Sequence, residues 1–201
     1  YVGYKGPGFV EHDLREKAAA AGIELPPFQT EFLESKNWLK ENVIKFAPVE
    51  VEDFIIYGIH EKDIPPSDKV TLRIYAATAF GSEHQTTKSC LRAISHLNRL
   101  GAAHRNILDM GTGSGILALA AAKLWPDAVR ITAVDIDPEA VAVTRQNARD
   151  NHLEKYLTVA VSNGYNSDLV RNNAPYDIII ANILARPLIE MAPQFNQALD
   201  P

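Results

Sequence analysis

The sequence predicts an α/β fold, a doubly wound and mostly parallel sheet that follows a small N-terminal piece. From residue 106 onward, strand-like and helix-like segments alternate four times, which is typical of parallel sheets with helices on both faces. Two strand-like segments, ITAV and IIIA, are unbroken apolar runs that suit strands covered on both sides. A glycine-rich loop also joins an earlier strand-like segment, NILDM at 106–110, to a helix.

The composition is typical of a globular protein and argues against several other classes. The chain has 201 residues, 46% apolar and 22% charged, as expected for one or two globular domains. Its longest apolar run, 116–122, is too short for a membrane helix. The net charge of −5 argues against a nucleic-acid scaffold. One cysteine, Cys90, excludes an internal disulfide framework, and the six histidines lack metal-ligand spacing, so we expect no metal site.

The N-terminal part of the chain has weaker signals. Its candidate elements are a helix at 12–22, strands at 26–34, 54–60 and 70–76, and a short helix at 37–46. Gly22 and Pro48 are the stop signals for the two helices. The turn-rich segment EKDIPPSDK separates the last two strands.

The sheet domain has clearer periodicity. Its candidate elements are helices at 86–101, 116–124, 138–151 and 185–199, and strands at 106–110, 129–135, 156–161 and 176–184. A loop is predicted around 162–168. The first helix carries a predicted apolar stripe, Cys90, Leu91, Ile94, Leu97 and Leu100.

The glycine loop predicts a ligand site. Asp109 ends a buried strand, and Gly111, Gly113 and Gly115 alternate before the next helix, where backbone N–H groups are available to a ligand. The dinucleotide pattern G-x-G-x-x-G is not met, because Ile116 stands at the third position. The spacing instead favours a nucleoside with an amino-acid tail, with Asp109 under the loop or near the ligand's ammonium group. The alternative is a glycine-rich turn without a ligand.

A second signal is the acidic end of the next strand. Asp135 lies 24 residues after Gly111, near the spacing at which an acid accepts both ribose hydroxyls. Asp137 is predicted to be the N-cap of the following helix, with Pro138 at its first position.

Two further segments contain candidate functional residues, and Asn182 is the candidate for holding the acceptor of the reaction. Asn182 follows an apolar strand at the edge where open sheets bind ligands, although it is also a possible helix cap. Asp177, at the start of that strand, is predicted to be a turn residue. In AFGSEHQTT, residues 79–87, His84 is either functional or a surface loop residue, and Thr87 is either functional or a helix N-cap.

Together AFGSEHQTT, LDMGTGSGILALAA, DIDPEAV and ANILARPL resemble the PrmA family, methyltransferases that use S-adenosylmethionine to modify ribosomal protein eleven of the large subunit. The segment from Trp38 through KFAPVEVEDFIIYGIH is similar to that family's linker and first strands. The resemblance implies a class I, Rossmann-like methyltransferase fold. It also implies an N-terminal remnant at 1–36, a linker helix at 37–47, and a methyltransferase domain at 48–201 without its C-terminal hairpin.

The resemblance also implies site residues and partners. Cofactor contacts are expected at Thr87, Gly111, Gly113, Asp135 and Asn182, while Phe80 and His84 close over the cofactor's methionine end. Asn182 and the backbone carbonyl of Ile183 are the expected catalytic groups, because both accept hydrogens from an amine. The expected substrate is a large-subunit ribosomal protein, free or assembled. The expected enzyme is a cytoplasmic monomer without membrane or direct nucleic-acid binding.

One departure from the family's pattern and three alternatives stay open. Glu83 stands where the family favours a glycine, which predicts a stiffer loop or weaker cofactor binding. The alternatives are another class I N-methyltransferase, a nicotinamide-dependent oxidoreductase, and a catalytically disabled module that binds a ribosomal protein.

Overall fold

The structure, a computed structural model, describes residues 11–27, 47–75, 85–101, 104–126 and 130–199. The chain divides into two compact units, 1–37 and 38–201. The described part of the first unit contains one helix, α1 (Glu11–Ala20), which ends in a turn at Gly22 as predicted. The predicted strand at 26–34 and helix at 37–46 lie almost wholly outside the described residues. The linker and domain boundaries therefore stay predictions.

A small three-stranded sheet opens the second unit. Its strands are β1 (Val49–Val51), β2 (Phe54–Gly58) and β3 (Val70–Ile74), in the order β1-β2-β3. The first pair is antiparallel and the second is parallel. The two predicted strands are confirmed, whereas β1 is too short to give a period-2 pattern in the sequence.

A four-stranded parallel sheet follows and confirms the predicted fold class. Its strands are β4 (Asn106–Met110), β5 (Arg130–Asp135), β6 (Leu157–Val161) and β7 (Ile178–Ile180). The order β6-β5-β4-β7 places the first strand in the middle, so the winding direction reverses between β4 and β7. Open α/β sheets bind ligands at such a reversal, at the carboxyl ends of the strands.

Five α-helices surround this sheet in the described residues. They are α2 (Gln85–Arg99), α3 (Ile116–Leu124), α4 (Pro138–Asp150), α5 (Asp168–Asn173) and α6 (Ala185–Ala198). Helix α3 is buried along 116–122 because it contacts β3 of the small sheet, β4 and β5 of the large sheet, and α2. This all-round burial explains why its sequence is apolar on every face. Among the helices of the described residues, none is both long and apolar enough to cross a membrane.

Three details of the sequence prediction were wrong. Leu100 lies beyond the end of α2 and is exposed, while Ser95 shares the buried face with Leu91 and Ile94. The predicted loop is present at 162–167 and includes a 3-10 turn (Gly164–Asn166), but the helix that follows it, α5, was not predicted. The hydroxyl of Ser167 accepts a hydrogen bond from the N–H of Val170 at the start of α5. Strand β7 has only three residues, because the chain leaves the sheet before Asn182.

Candidate active site

The glycine loop leaves β4 at the centre of the sheet and turns into α3. Gly111 and Gly113 have φ angles of +75° and +57°, a region that side chains rarely adopt. A Cβ atom on Gly111 would lie 2.2 Å from Cγ2 of Ile183, so this glycine is required for close packing. Among the described residues, a Cβ atom on Gly113 would meet nothing within 4 Å. The loop is therefore packed at one glycine and open at the next.

Asp109 lies beneath the loop. Its side chain is buried, and Oδ2 accepts a hydrogen bond of 2.7 Å from the hydroxyl of Thr112. Burial raises the pKa of Asp109 to about 6, although the Thr112 hydroxyl and the N–H of Ala118 favour the charged form. Asp109 therefore lies under the glycine loop, which is one of the two positions predicted for it. The second predicted role, a contact with a ligand's ammonium group, stays a prediction.

Asp135 is held at the end of β5 by two backbone N–H groups. One oxygen accepts from Gly113 at 2.9 Å and the other from Asp137 at 3.0 Å. The half-buried carboxylate therefore links the glycine loop to the start of α4, and each oxygen keeps a lone pair for a further donor. Asp137 caps α4 through the N–H of Glu139, with Pro138 at the first position, which confirms that prediction.

Asn182 and Thr87 meet across the top of the sheet. The side-chain nitrogen of Asn182 donates to the hydroxyl oxygen of Thr87 at 2.9 Å, although 95 residues separate them. Thr87 is buried in the first turn of α2. Neither is a helix cap, because α2 already includes Gln85 and the N-cap of α6 is Leu184. The two capping alternatives are therefore wrong.

Ile183 connects this pair to the glycine loop. Its Cγ2 methyl lies above the Cα atom of Gly111, and the two residues belong to segments that leave the neighbouring strands β4 and β7. The structure thus brings Thr87, Gly111, Asn182 and Ile183 together at the reversal point, with Gly113 and Asp135 on the side of β5. The other predicted site residues, Phe80 and His84, lie outside the described residues, as does Glu83.

Two features of the site were missed from the sequence. Ile136, directly after the predicted strand at 129–135, exposes 64% of its surface, and the sequence analysis gave it no role. Asp177, predicted to be a turn residue, accepts hydrogen bonds from the N–H groups of Arg105 and Asn106 and so fixes the start of β4. An apolar residue between two aspartates was the available signal for Ile136. No local signal pointed to Asp177, since its partners are about 70 residues away.

The comparisons with known proteins identify the family of this chain. The family model described as "Ribosomal protein L11 methyltransferase (PrmA)" matches residues 10–201. The chain belongs to this family. Its relatives include the ribosomal protein L11 methyltransferases of Rhizobium meliloti, 42% identical over 95% of this chain, and of Brucella suis, 39% identical over 96%. These matches cover 66% and 68% of the relatives, so the chain spans about two thirds of their length.

A solved structure supports the same assignment to the PrmA family. The crystal structure of a ribosomal protein L11 methylase from Lactobacillus delbrueckii subsp. bulgaricus superposes with a TM-score of 0.62 at 30% sequence identity. The likeness covers 77% of this chain and 76% of that one. The strand order, the glycine loop and the Asn182 segment described above are therefore features of a PrmA-family chain.

Proposed function

We propose that this chain transfers methyl groups from S-adenosylmethionine to amino groups of ribosomal protein L11, in the cytoplasm and as a monomer. The acceptors are lysine side chains, the N-terminal amine, or both. The names of the relatives supply the substrate class. The observation that carries the proposal is the hydrogen bond between Asn182 and Thr87, because it places an amide beside the glycine loop at the reversal point of the sheet.

The residues fit S-adenosylmethionine in three respects. Gly113 presents open space where any side chain would project, so a ligand is free to approach the backbone. The Asp135 carboxylate is already oriented by two N–H groups and retains acceptor capacity for a ribose diol. The exposed Ile136 side chain offers the base an apolar surface next to that acid. Bound there, the cofactor supplies an electrophilic methyl group.

The protein's contribution to the reaction is positioning and desolvation. An exposed lysine amine, with a pKa of about 10.4, is almost entirely protonated at neutral pH. Desolvation disfavours the charged form and so frees the nitrogen lone pair. One N–H of Asn182 donates to Thr87 and so fixes the orientation of the amide, whose carbonyl oxygen is its only atom able to accept amine hydrogens. The Ile183 carbonyl is proposed as the second acceptor.

The cofactor is tested by calorimetric titration of this chain with S-adenosylmethionine, with NAD as the control ligand. We expect saturable binding of S-adenosylmethionine and none of NAD. Binding of NAD alone would overturn the proposal and favour an oxidoreductase.

The reaction is tested by incubating the chain with purified ribosomal protein L11 and methyl-labelled cofactor. We expect label in the protein, and mass spectrometry of its peptides then locates the modified amines. A chain that binds both the cofactor and the ribosomal protein without transferring label would instead be a catalytically disabled binding module.

A further inference from the structure

Helix α4 carries a buried polar stripe that faces the glycine loop and the small sheet. Thr144 and Asn147 of α4, and Asn151, the C-cap residue that follows it, recur at spacings of three and four residues, so they share one face. The first two are fully buried and the third is 6% exposed. Buried polar side chains are costly unless they are hydrogen-bonded, so the partners of this stripe show what it does.

Thr144 and Asn147 hold two successive carbonyls of the glycine loop. The hydroxyl of Thr144 donates to the carbonyl oxygen of Gly113 at 3.0 Å. The side-chain nitrogen of Asn147 donates to the carbonyl oxygen of Ser114 at 2.8 Å. In a trans peptide the carbonyl and the following N–H point in opposite directions, so the Ser114 N–H points away from α4. The two side chains thereby fix the orientation of the loop peptides.

Asn147 and Asn151 also bind the backbone of β3 and the residue after it. Asn147 accepts from the N–H of Tyr75 at 2.6 Å and donates to the carbonyl of Tyr75 at 3.3 Å. Asn151 makes the same pair of bonds with Arg73, at 2.9 Å and 2.6 Å. The side-chain amides of Asn147 and Asn151 thus bond to the backbone of every second residue, Tyr75 and Arg73, as the backbone of a neighbouring strand would. Only Asn147 adds a bond to the glycine loop.

We propose that Thr144 and Asn147 are positioning residues that hold the glycine loop in the shape that receives the cofactor. The inference rests on the proposed function, since the loop is the cofactor site. A loop whose carbonyls are already bound loses less freedom when a ligand arrives, so affinity is higher. Asn151 makes equivalent bonds to β3 without touching the loop, and it therefore serves only to join α4 to the small sheet.

The test compares Thr144→Val and Asn147→Ala with the control Asn151→Ala. Valine retains the methyl group that packs against Gly115 and removes only the hydroxyl. Thr144→Val loses one hydrogen bond, so its dissociation constant for S-adenosylmethionine is expected to be about fivefold to tenfold higher. Asn147→Ala is expected to lose at least as much affinity for S-adenosylmethionine. Asn151→Ala is expected to stay within about twofold, because it lies outside the loop contacts.

A second readout needs no cofactor. Amide hydrogen exchange at Gly113 and Gly115 reports the opening of the loop, whose N–H groups are bonded to Asp135 and to the Thr112 carbonyl. Faster exchange there in both loop variants, but not in Asn151→Ala, supports the proposal. Unchanged exchange in Thr144→Val would overturn it, as would equal losses of affinity in all three variants.

The two hypotheses fail separately. If the unmodified chain does not bind S-adenosylmethionine, the proposed function fails, while the exchange comparison still decides whether α4 fixes the loop. If Asn147→Ala does not fold, Thr144→Val decides alone, because it preserves the packing of α4.

Discussion

The two sides of the candidate site are built in different ways. On the side of β5, Asp135 is bound to backbone N–H groups only 2 and 22 residues away. On the side of β7, Asn182 and Thr87 are joined by one bond between side chains 95 residues apart. The first side is a local motif whose shape follows from the chain around it. The second exists only when α2 and the segment after β7 are correctly packed, so damage to the fold should affect it first.

The largest effect is expected where the two sides touch, at Gly111. In Gly111→Ala the new methyl would overlap Cγ2 of Ile183, and φ would stay at +75°. Overpacking and backbone strain together should lower the free energy of unfolding by about 2–6 kcal/mol. Denaturant titration measures this loss.

The double variant Gly111→Ala with Ile183→Ala separates the two causes. Removal of the isoleucine methyl relieves the overlap but not the backbone strain. We therefore expect the double variant to lose less unfolding free energy than the sum of the losses in the two single variants. No recovery would mean that the contact between Gly111 and Ile183 does not join the two sides.

A smaller effect is expected from Asp109, which supports the loop from below. Burial raises its pKa to about 6, from an ordinary value of 3.8. A raised folded-state pKa means that the folded protein binds the proton more tightly between pH 4 and 6. Stability should therefore fall as pH rises through this window, by at most about 3 kcal/mol.

Asp109→Asn should remove this dependence, since the amide is neutral at every pH and its oxygen still accepts from Thr112. Unfolding free energies at pH 4, 5, 6 and 7 measure the slope for both proteins. A slope that persists in Asp109→Asn would assign the titration to another group.

The side of β5 is tested next by Asp135→Ala. Two charge-assisted hydrogen bonds, from the loop and from the start of α4, are lost, together with the proposed acceptor for the ribose hydroxyls. We expect about a hundredfold weaker binding of S-adenosylmethionine, measured by calorimetry. Asp137→Ala is the matched control, because it removes the helix cap and leaves the Asp135 carboxylate in place. Equal losses in both variants would reduce Asp135 to a structural role.

The difference between the two sides also explains what could be predicted from the sequence. Alternating glycines, a strand-end acid and a proline-started helix are local signals, so the loop, Asp135 and Asp137 were placed correctly. Asn182 and Thr87 were singled out by their positions after a strand and before a helix, and their expected cofactor roles came from the family resemblance. Their contact with each other depends on the strand order β6-β5-β4-β7 and could not be predicted. The stripe of Thr144 and Asn147 was missed, because polar residues on a helix usually indicate its solvent face.

The smallest effects are expected on the side of β7. Asn182→Ala should leave the affinity for S-adenosylmethionine within severalfold, yet lower turnover by about tenfold to a hundredfold, because it removes the carbonyl that we propose orients the acceptor amine. Methyl transfer to ribosomal protein L11, measured alongside calorimetry, separates the two quantities. Equal losses in affinity and turnover would contradict an orienting role.

Thr87→Val extends this test to the partner of Asn182. It keeps the amide but removes its acceptor oxygen, so the side chain of Asn182 loses its fixed orientation. Turnover should fall by about fivefold, the equivalent of one hydrogen bond, and Thr87→Ser should restore it because serine keeps the hydroxyl. If Thr87→Val and Thr87→Ser have the same turnover, the hydrogen bond does not orient Asn182, and this side of the site would depend on packing alone.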